Sequence, residues 1–83
     1  MPRVLLVVGA DERLVADALE RAGEDGGVVV VDPSCERLER LEQALPDARI
    51  WFQIGDAEVV PLPDDSVDAA FGVSSPDVER VVR

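Results

Sequence analysis

The hydrophobic positions of this chain fall into short runs that alternate with amphipathic stretches. The run Val4–Val8 is apolar throughout and ends at Gly9. A stretch with apolar residues at helical spacing follows, and a second apolar run, Val28–Val31, ends at Asp32. Short β-branched runs separated by one helix's worth of residues indicate a βαβ unit whose parallel strands are covered on both faces.

The same patterning continues along the chain and predicts four strands and three helices. Ser34 and Ser75 are predicted to cap the second and third helices, and Gly23 is predicted to end the first. Residues 55–66 contain two prolines and adjacent aspartates, so they are predicted to form a crossing loop. The predicted strands are 3–8, 28–31, 49–54 and 67–73, and the predicted helices are 11–22, 34–45 and 75–83.

This order of elements has a consequence for how the sheet is covered. Right-handed crossovers place the first two helices on one face, which leaves little sequence for the other. We therefore expect an uncovered sheet face or strand edge that mediates self-association as a homodimer. Trp51 is expected to pack at a sheet edge or in a subunit contact. Cys35 shares a helical stripe with Leu38 and is expected to be buried.

Charge and composition exclude several classes of function. The chain has 18 acidic and 8 basic residues and a net charge of −10, so we expect no binding to nucleic acid or membranes. It has no histidine, which removes histidine-based nucleophile systems and the commonest metal ligand. The carboxylates Asp64, Asp65 and Asp68 are expected to be solvated rather than metal ligands. One cysteine and the absence of a signal-peptide pattern favour a cytoplasmic location.

Four short segments combine into a pattern that extends over nearly the whole chain. Residues 29–34 read VVVDPS, residues 56–58 read DAE, and residues 61–68 read PLPDDSVD, while 3–9 form an apolar run with a terminal glycine. In order and spacing they resemble the N-terminal half of class I S-adenosylmethionine-dependent methyltransferases of the methyltransferase type 11-like group. The resemblance implies that residues 1–83 form one truncated Rossmann-like α/β domain with a small parallel sheet of order 3-2-1-4 and flanking helices.

The resemblance also implies a cofactor site at the carboxyl ends of the strands. There Asp32 accepts hydrogen bonds from the two ribose hydroxyls, as a carboxylate with two oxygens is able to do. Asp56 accepts from the adenine amino group, the N–H of Ala57 serves a ring nitrogen, and Gly9 is the first loop glycine. Local structure offers an alternative for each side chain, namely a cap of the second helix for Asp32 and an Asx turn for Asp56.

The chain departs from the family pattern on the methionine side of this site. Asp11 and Arg13 replace later loop glycines, and Val7 stands where the family often carries an acid. The strands that follow the fourth are also absent. We therefore expect weak or absent binding of S-adenosylmethionine, no catalytic residue in this chain, and a methyltransferase-like domain that is weakly active or inactive. The alternatives are a non-catalytic oligomerising scaffold, with an unidentified protein partner, or an adenosine- or nucleotide-binding module.

Overall fold

The computed structural model describes residues 2–83 and contains seven regular elements. They are β1 (Val4–Val8), α1 (Glu12–Ala22), β2 (Gly27–Asp32), α2 (Cys35–Ala44), β3 (Ile50–Ile54), β4 (Ala69–Gly72) and α3 (Pro76–Val81). The strands form a single parallel sheet in the order β3-β2-β1-β4, which confirms the predicted class and strand order. Within these residues, every helix is too short or too polar to cross a bilayer.

The first two helices lie on one face of the sheet, as predicted. The periodic apolar residues of α1 and α2 cover the inner positions of β1 and β2, because residues three and four apart share one side of a helix. Asp11 and Ser34 cap the two helices by accepting backbone N–H groups, and Gly23 ends α1 with φ of 78°. The buried residues of this first cluster are Leu5, Val7, Val15, Ala18, Leu19, Ala22, Val28, Val30, Leu38, Leu41 and Ile50.

The second face of the sheet is covered along its two central strands, so the expectation that this face lies open is wrong there. Residues of the crossing loop and of α3 pack onto it despite their lack of a regular pattern. The buried residues of this second cluster are Leu6, Val8, Val29, Val31, Val60, Val67, Val78 and Val81. The outer edges of β3 and β4 are open, since each strand pairs on one side only. Along β3, Trp51 is 53% exposed and Ile54 is 56% exposed.

The fourth strand is shorter than the predicted span of 67–73. Val67 forms an isolated bridge with Val82, and its N–H donates to the carbonyl of Val81, so it pairs with the end of α3 rather than with β1. Gly72 has φ of 98°, which turns the chain away from the sheet. The last helix ends at Val81 rather than Arg83, because residues 82 and 83 take part in this pairing with Val67.

Cys35 is exposed, which contradicts the expectation that it is buried. It is the first residue of α2, ahead of the turn that carries Leu38 onto the sheet. Its thiol lies 3.7 Å from a carboxylate oxygen of Glu39 on the solvent side. The negative charge of Glu39 raises the pKa of the Cys35 thiol, so this cysteine has the properties of an unreactive surface thiol.

Arg49 connects the start of β3 to the end of α1. Its guanidinium donates to the carbonyl of Gly23 at 2.7 Å and to Asp47 at 2.7 and 3.0 Å. The hydrogen bonds from Arg49 lower the pKa of the Asp47 carboxyl to about 2. A cation at the carbonyl end of a helix satisfies unpaired acceptors there. These contacts lie at the amino ends of β2 and β3, opposite the candidate site.

Candidate functional site

The sequence-predicted site residues lie along one rim of the sheet. Gly9 follows β1, Asp32 ends β2, and the Asp56–Ala57 pair follows β3. Because the strands are parallel, their carboxyl ends meet at the same edge. The N–H of Gly9 donates to the carbonyl of Val31 at 2.7 Å, which holds the ends of β1 and β2 together. The N–H of Gly55 donates to the carbonyl of Asp32 at 3.3 Å, which brings in the end of β3.

The carboxylate of Asp32 joins the loops that follow β1 and β2. It is 2% exposed and is the only polar residue in the core of the described chain. One oxygen accepts the N–H of Ala10 at 2.9 Å, and the other accepts the N–H of Ser34 at 2.7 Å. The guanidinium of Arg37 lies 3.8 Å away. Asp32 thus holds the turn into α2, while the cap of that helix is Ser34. A ribose diol would have to reach the remaining lone pairs of the Asp32 carboxylate.

Asp56 and Ala57 present polar groups to which residues 2–83 offer no partner. Asp56 is exposed, and one of its oxygens accepts the N–H groups of Glu58 and Val59, each at 2.9 Å, in the Asx turn that the sequence offers as the local alternative. Within residues 2–83, its other oxygen and the N–H of Ala57 have no hydrogen-bond partner. A free acceptor beside a free donor is the pattern that complements the amino group and adjacent ring nitrogen of adenine.

Gly9 provides open space where the loop after β1 turns into α1. Its φ is 108°, and a Cβ built at this position meets no heavy atom within 4 Å. The bare backbone therefore leaves room for a ligand, as a cofactor loop requires. Asp11 has a local structural role at this turn, since it accepts the N–H groups of Arg13 and Leu14 at 3.0 and 3.1 Å. A cleft of about 240 Å³ opens beside this loop and is lined in part by Ala10, Glu12 and Arg37.

Helix α3 contacts the site through residues that the sequence pattern does not single out. The hydroxyl of Ser75 donates to the carbonyl of Ala57, and Arg80 donates to backbone carbonyls of the crossing loop. The pattern identifies Ser75 only as a helix cap. Its place just after β4, at the same rim as the other site residues, is the signal that points to this contact. Across residues 2–83, acidic and cysteine side chains form no group of three suited to a metal ion.

Three comparisons with known proteins agree with this architecture. Residues 6–78 match the family model described as a methyltransferase domain. A ubiquinone/menaquinone biosynthesis C-methyltransferase from Methylobacterium nodulans is 36% identical over 87 residues, which cover 96% of this chain and 34% of that protein. The chain therefore spans about a third of the length of this curated relative.

Two solved structures share the fold. A methyltransferase from Haloferax volcanii, solved in complex with the Trm112 methyltransferase activator, superimposes with a TM-score of 0.78 at 18% identity, covering 99% of this chain and 41% of that one. An S-adenosylmethionine-dependent methyltransferase from Aquifex aeolicus superimposes with a TM-score of 0.71 at 24% identity. The match covers 98% of this chain and 51% of that one. The sheet order, the rim residues and the family match over residues 6–78 lead to one conclusion: this chain belongs to the methyltransferase domain family.

Proposed function

We propose that this chain is the adenosine-binding part of a methyltransferase domain, that it binds S-adenosylmethionine weakly, and that it does not transfer the methyl group by itself. The observation that carries the proposal is the free oxygen of Asp56 beside the free N–H of Ala57, at the end of β3. Together they offer one acceptor and one donor to the edge of an adenine base. The family match supports the choice of adenine over other ligands with the same hydrogen-bonding pattern.

The ribose and methionine sides of the site support weak binding. Asp32 is 2% exposed and already accepts two backbone N–H groups, so ribose has to compete with the protein for its oxygens. On the methionine side, Val7 supplies no charge-assisted hydrogen bond, a loss of about 1.5–3 kcal/mol. A loss of that size reduces affinity by about tenfold to a hundredfold. With the methionine group poorly held, the chain lacks the fixed orientation that methyl transfer requires.

Calorimetry with S-adenosylhomocysteine tests the proposal. We expect saturable binding with a dissociation constant in the high micromolar to millimolar range. The variant Asp56→Asn keeps an acceptor for the turn but places an amide N–H₂ opposite the adenine amino group. We expect it to weaken binding by about tenfold or more, since a hydrogen bond to a charged group is lost.

Asp25→Ala is the matched control, because it removes an exposed carboxylate away from the carboxyl rim and alters the net charge equally. Its affinity is expected to equal that of the wild type. An absence of measurable heat at millimolar ligand, or equal affinity in all three proteins, contradicts the proposal.

A second candidate function is association through the open edge of β3. This strand leaves its outer backbone groups unpaired, and Trp51 and Ile54 are more than half exposed there. Unpaired strand edges recruit further strands, and exposed apolar groups favour contact. We propose a homodimer in which the β3 edges of two copies of the chain contact each other. Such a dimer is the smallest form of an oligomerising scaffold. The complex of the Haloferax volcanii methyltransferase with Trm112 supports the alternative of a different protein partner.

Sedimentation equilibrium of the wild type and Trp51→Ser tests the dimer. We expect the wild type to dimerise at high concentration, and more tightly at high salt, because a net charge of −10 on each copy is then screened. Trp51→Ser is expected to remain monomeric. Val59→Ser is the control, since Val59 is 71% exposed but lies outside the edge strand. A wild type that stays monomeric at every concentration and salt level removes this candidate.

We propose a cytoplasmic site of action. The chain has one cysteine, Cys35, and its thiol is exposed and free of any disulfide. Exposed free thiols are typical of reducing compartments, which supports this location.

A further inference from the structure

Helix α3 reaches the adenine side of the candidate site through three polar side chains. We infer that Ser75, Asp77 and Arg80 are positioning residues that hold residues 56–60 in the conformation in which Asp56 and Ala57 meet the base. The inference rests on the proposed adenosine binding for its functional meaning. It concerns residues that touch the loop rather than the ligand.

The contact nearest the base is made by Ser75. Its hydroxyl donates to the carbonyl of Ala57 and also accepts the N–H of Val78 at 3.1 Å, which caps α3. One hydroxyl group therefore links the start of α3 to the residue whose N–H faces the ligand. The carbonyl of Ala57 and the N–H of Glu58 belong to one planar peptide unit. Ser75 binds its carbonyl and the carboxylate of Asp56 binds its N–H, so the unit that follows the N–H of Ala57 is held from both sides.

A second set of contacts holds Val60. The side chain of Val60 is 3% exposed and inserts into the second core cluster. Its N–H donates to the carboxylate of Asp77, and its carbonyl accepts from the guanidinium of Arg80 at 3.0 Å. Both backbone groups of this buried residue are thus bound by side chains of α3, and the carbonyl also accepts the N–H of Leu62 at 2.8 Å. In a sheet, such backbone groups are satisfied by a neighbouring strand. Here side chains of α3 bind them instead, so the position of this loop depends on α3.

Arg80 connects these contacts into one network. Its guanidinium also donates to the carbonyl of Leu62 at 2.9 Å, to Asp64 at 2.7 Å and to Asp77 at 2.8 and 3.1 Å. The hydrogen bond from Arg80 lowers the pKa of the Asp77 carboxyl to about 2. Asp77 is therefore charged at neutral pH and accepts strongly from both Arg80 and Val60. A guanidinium suits this place because its fixed fork serves several acceptors at once.

Two variants separate positioning from general stability. Arg80→Gln removes the guanidinium that binds Asp77 and the carbonyls of Val60 and Leu62. Ser75→Asp keeps a good helix cap while removing the donor to Ala57. Ser75→Thr keeps both functions of the hydroxyl and is the conservative rescue. Arg21→Gln is the control for Arg80→Gln, because Arg21 is an exposed helical arginine paired with Asp17.

The first measurement is amide hydrogen exchange, which needs no ligand. In Arg80→Gln we expect the N–H groups of Val59 and Val60 to exchange about tenfold faster or more, while Val30 in β2 is unchanged. The Arg21→Gln and Ser75→Thr proteins are expected to match the wild type. Equal exchange at Val59 and Val60 in Arg80→Gln and the wild type overturns the inference.

The second measurement compares affinity for S-adenosylhomocysteine with affinity for its inosine analogue, which lacks the amino group. We expect the wild type to prefer the adenine ligand and Ser75→Asp to lose most of that preference, because the base contact is misplaced. A purely structural defect lowers both affinities alike, and that result overturns the positioning role of Ser75. If the wild type binds neither ligand, the proposed function fails, and the exchange data alone then decide whether α3 holds the loop.

Discussion

Replacing Asp32 with alanine is expected to destabilise the fold more than any other single carboxylate substitution. The change leaves the partly buried N–H groups of Ala10 and Ser34 without an acceptor, at a cost of up to about 1–3 kcal/mol for each group. A chain of this length has a total free energy of unfolding of about 4–12 kcal/mol. The variant is therefore expected to lose a large part of its stability, and the ends of β1 and β2 are expected to separate.

Urea denaturation followed by far-ultraviolet circular dichroism measures this effect. Asp32→Asn keeps the side-chain volume and one acceptor oxygen. We therefore expect it to lose about half as much unfolding free energy as Asp32→Ala. Asp56→Ala is the control at the same rim, since Asp56 is exposed and its removal is expected to cost less than about 1 kcal/mol. Equal midpoints for Asp32→Ala and Asp56→Ala would show that the Asp32 carboxylate does not hold the two loops together.

Gly72→Ala is expected to be the most damaging of the conservative backbone substitutions. Gly72 has φ of 98°, and a Cβ there would lie 2.3 Å from the carbonyl oxygen of Val8 in the neighbouring strand. An L-residue with positive φ costs roughly 1–2 kcal/mol by itself. The overlap with the carbonyl oxygen of Val8 also pushes β4 away from β1. We therefore expect the free energy of unfolding to fall by more than about 3 kcal/mol in total.

Gly9→Ala separates the two contributions. Gly9 also has positive φ, at 108°, but an added Cβ there meets nothing within 4 Å. We expect this variant to show only the conformational cost, about 1–2 kcal/mol, in the same urea experiment. A Gly72→Ala protein as stable as Gly9→Ala would mean that β4 moves away from Val8 without loss. Because the space beside Gly9 lies at the rim, Gly9→Ala is also expected to weaken ligand binding.

The strands of the sheet are largely predictable from the sequence, because a buried parallel strand consists of a continuous apolar run. The runs that end at Val8 and Val31 are buried on both faces. Only a strand that is covered on both sides needs apolar residues at every position. The order β3-β2-β1-β4 follows from the family resemblance rather than from the pattern. Trp51 lies in β3, which is an edge strand, in agreement with the expectation that it packs at a sheet edge or in a subunit contact.

The cover of the second face is not predictable in the same way. Val60 belongs to a proline-containing stretch without a hydrophobic period. Its N–H donates to Asp77 and its carbonyl accepts from Arg80, and both partners are distant in sequence. Val67 is held by backbone hydrogen bonds with Val81 and Arg83. The candidate site shows the same limit. Family spacing identifies Asp32 and Asp56, but whether their oxygens are free depends on tertiary contacts. Those contacts occupy both oxygens of Asp32 and leave one oxygen of Asp56 free.

The stacking of Trp51 on Gly27 gives this protein an optical probe of one defined place. An added Cβ at Gly27 would lie 2.5 Å from the indole ring, so the ring of this edge-strand residue extends over the bare backbone of β2. The chain has no second tryptophan and no tyrosine, so its ultraviolet emission comes essentially from this half-exposed ring. Quenching of that emission by iodide therefore reports on whether the sheet face beside β3 is solvated or covered.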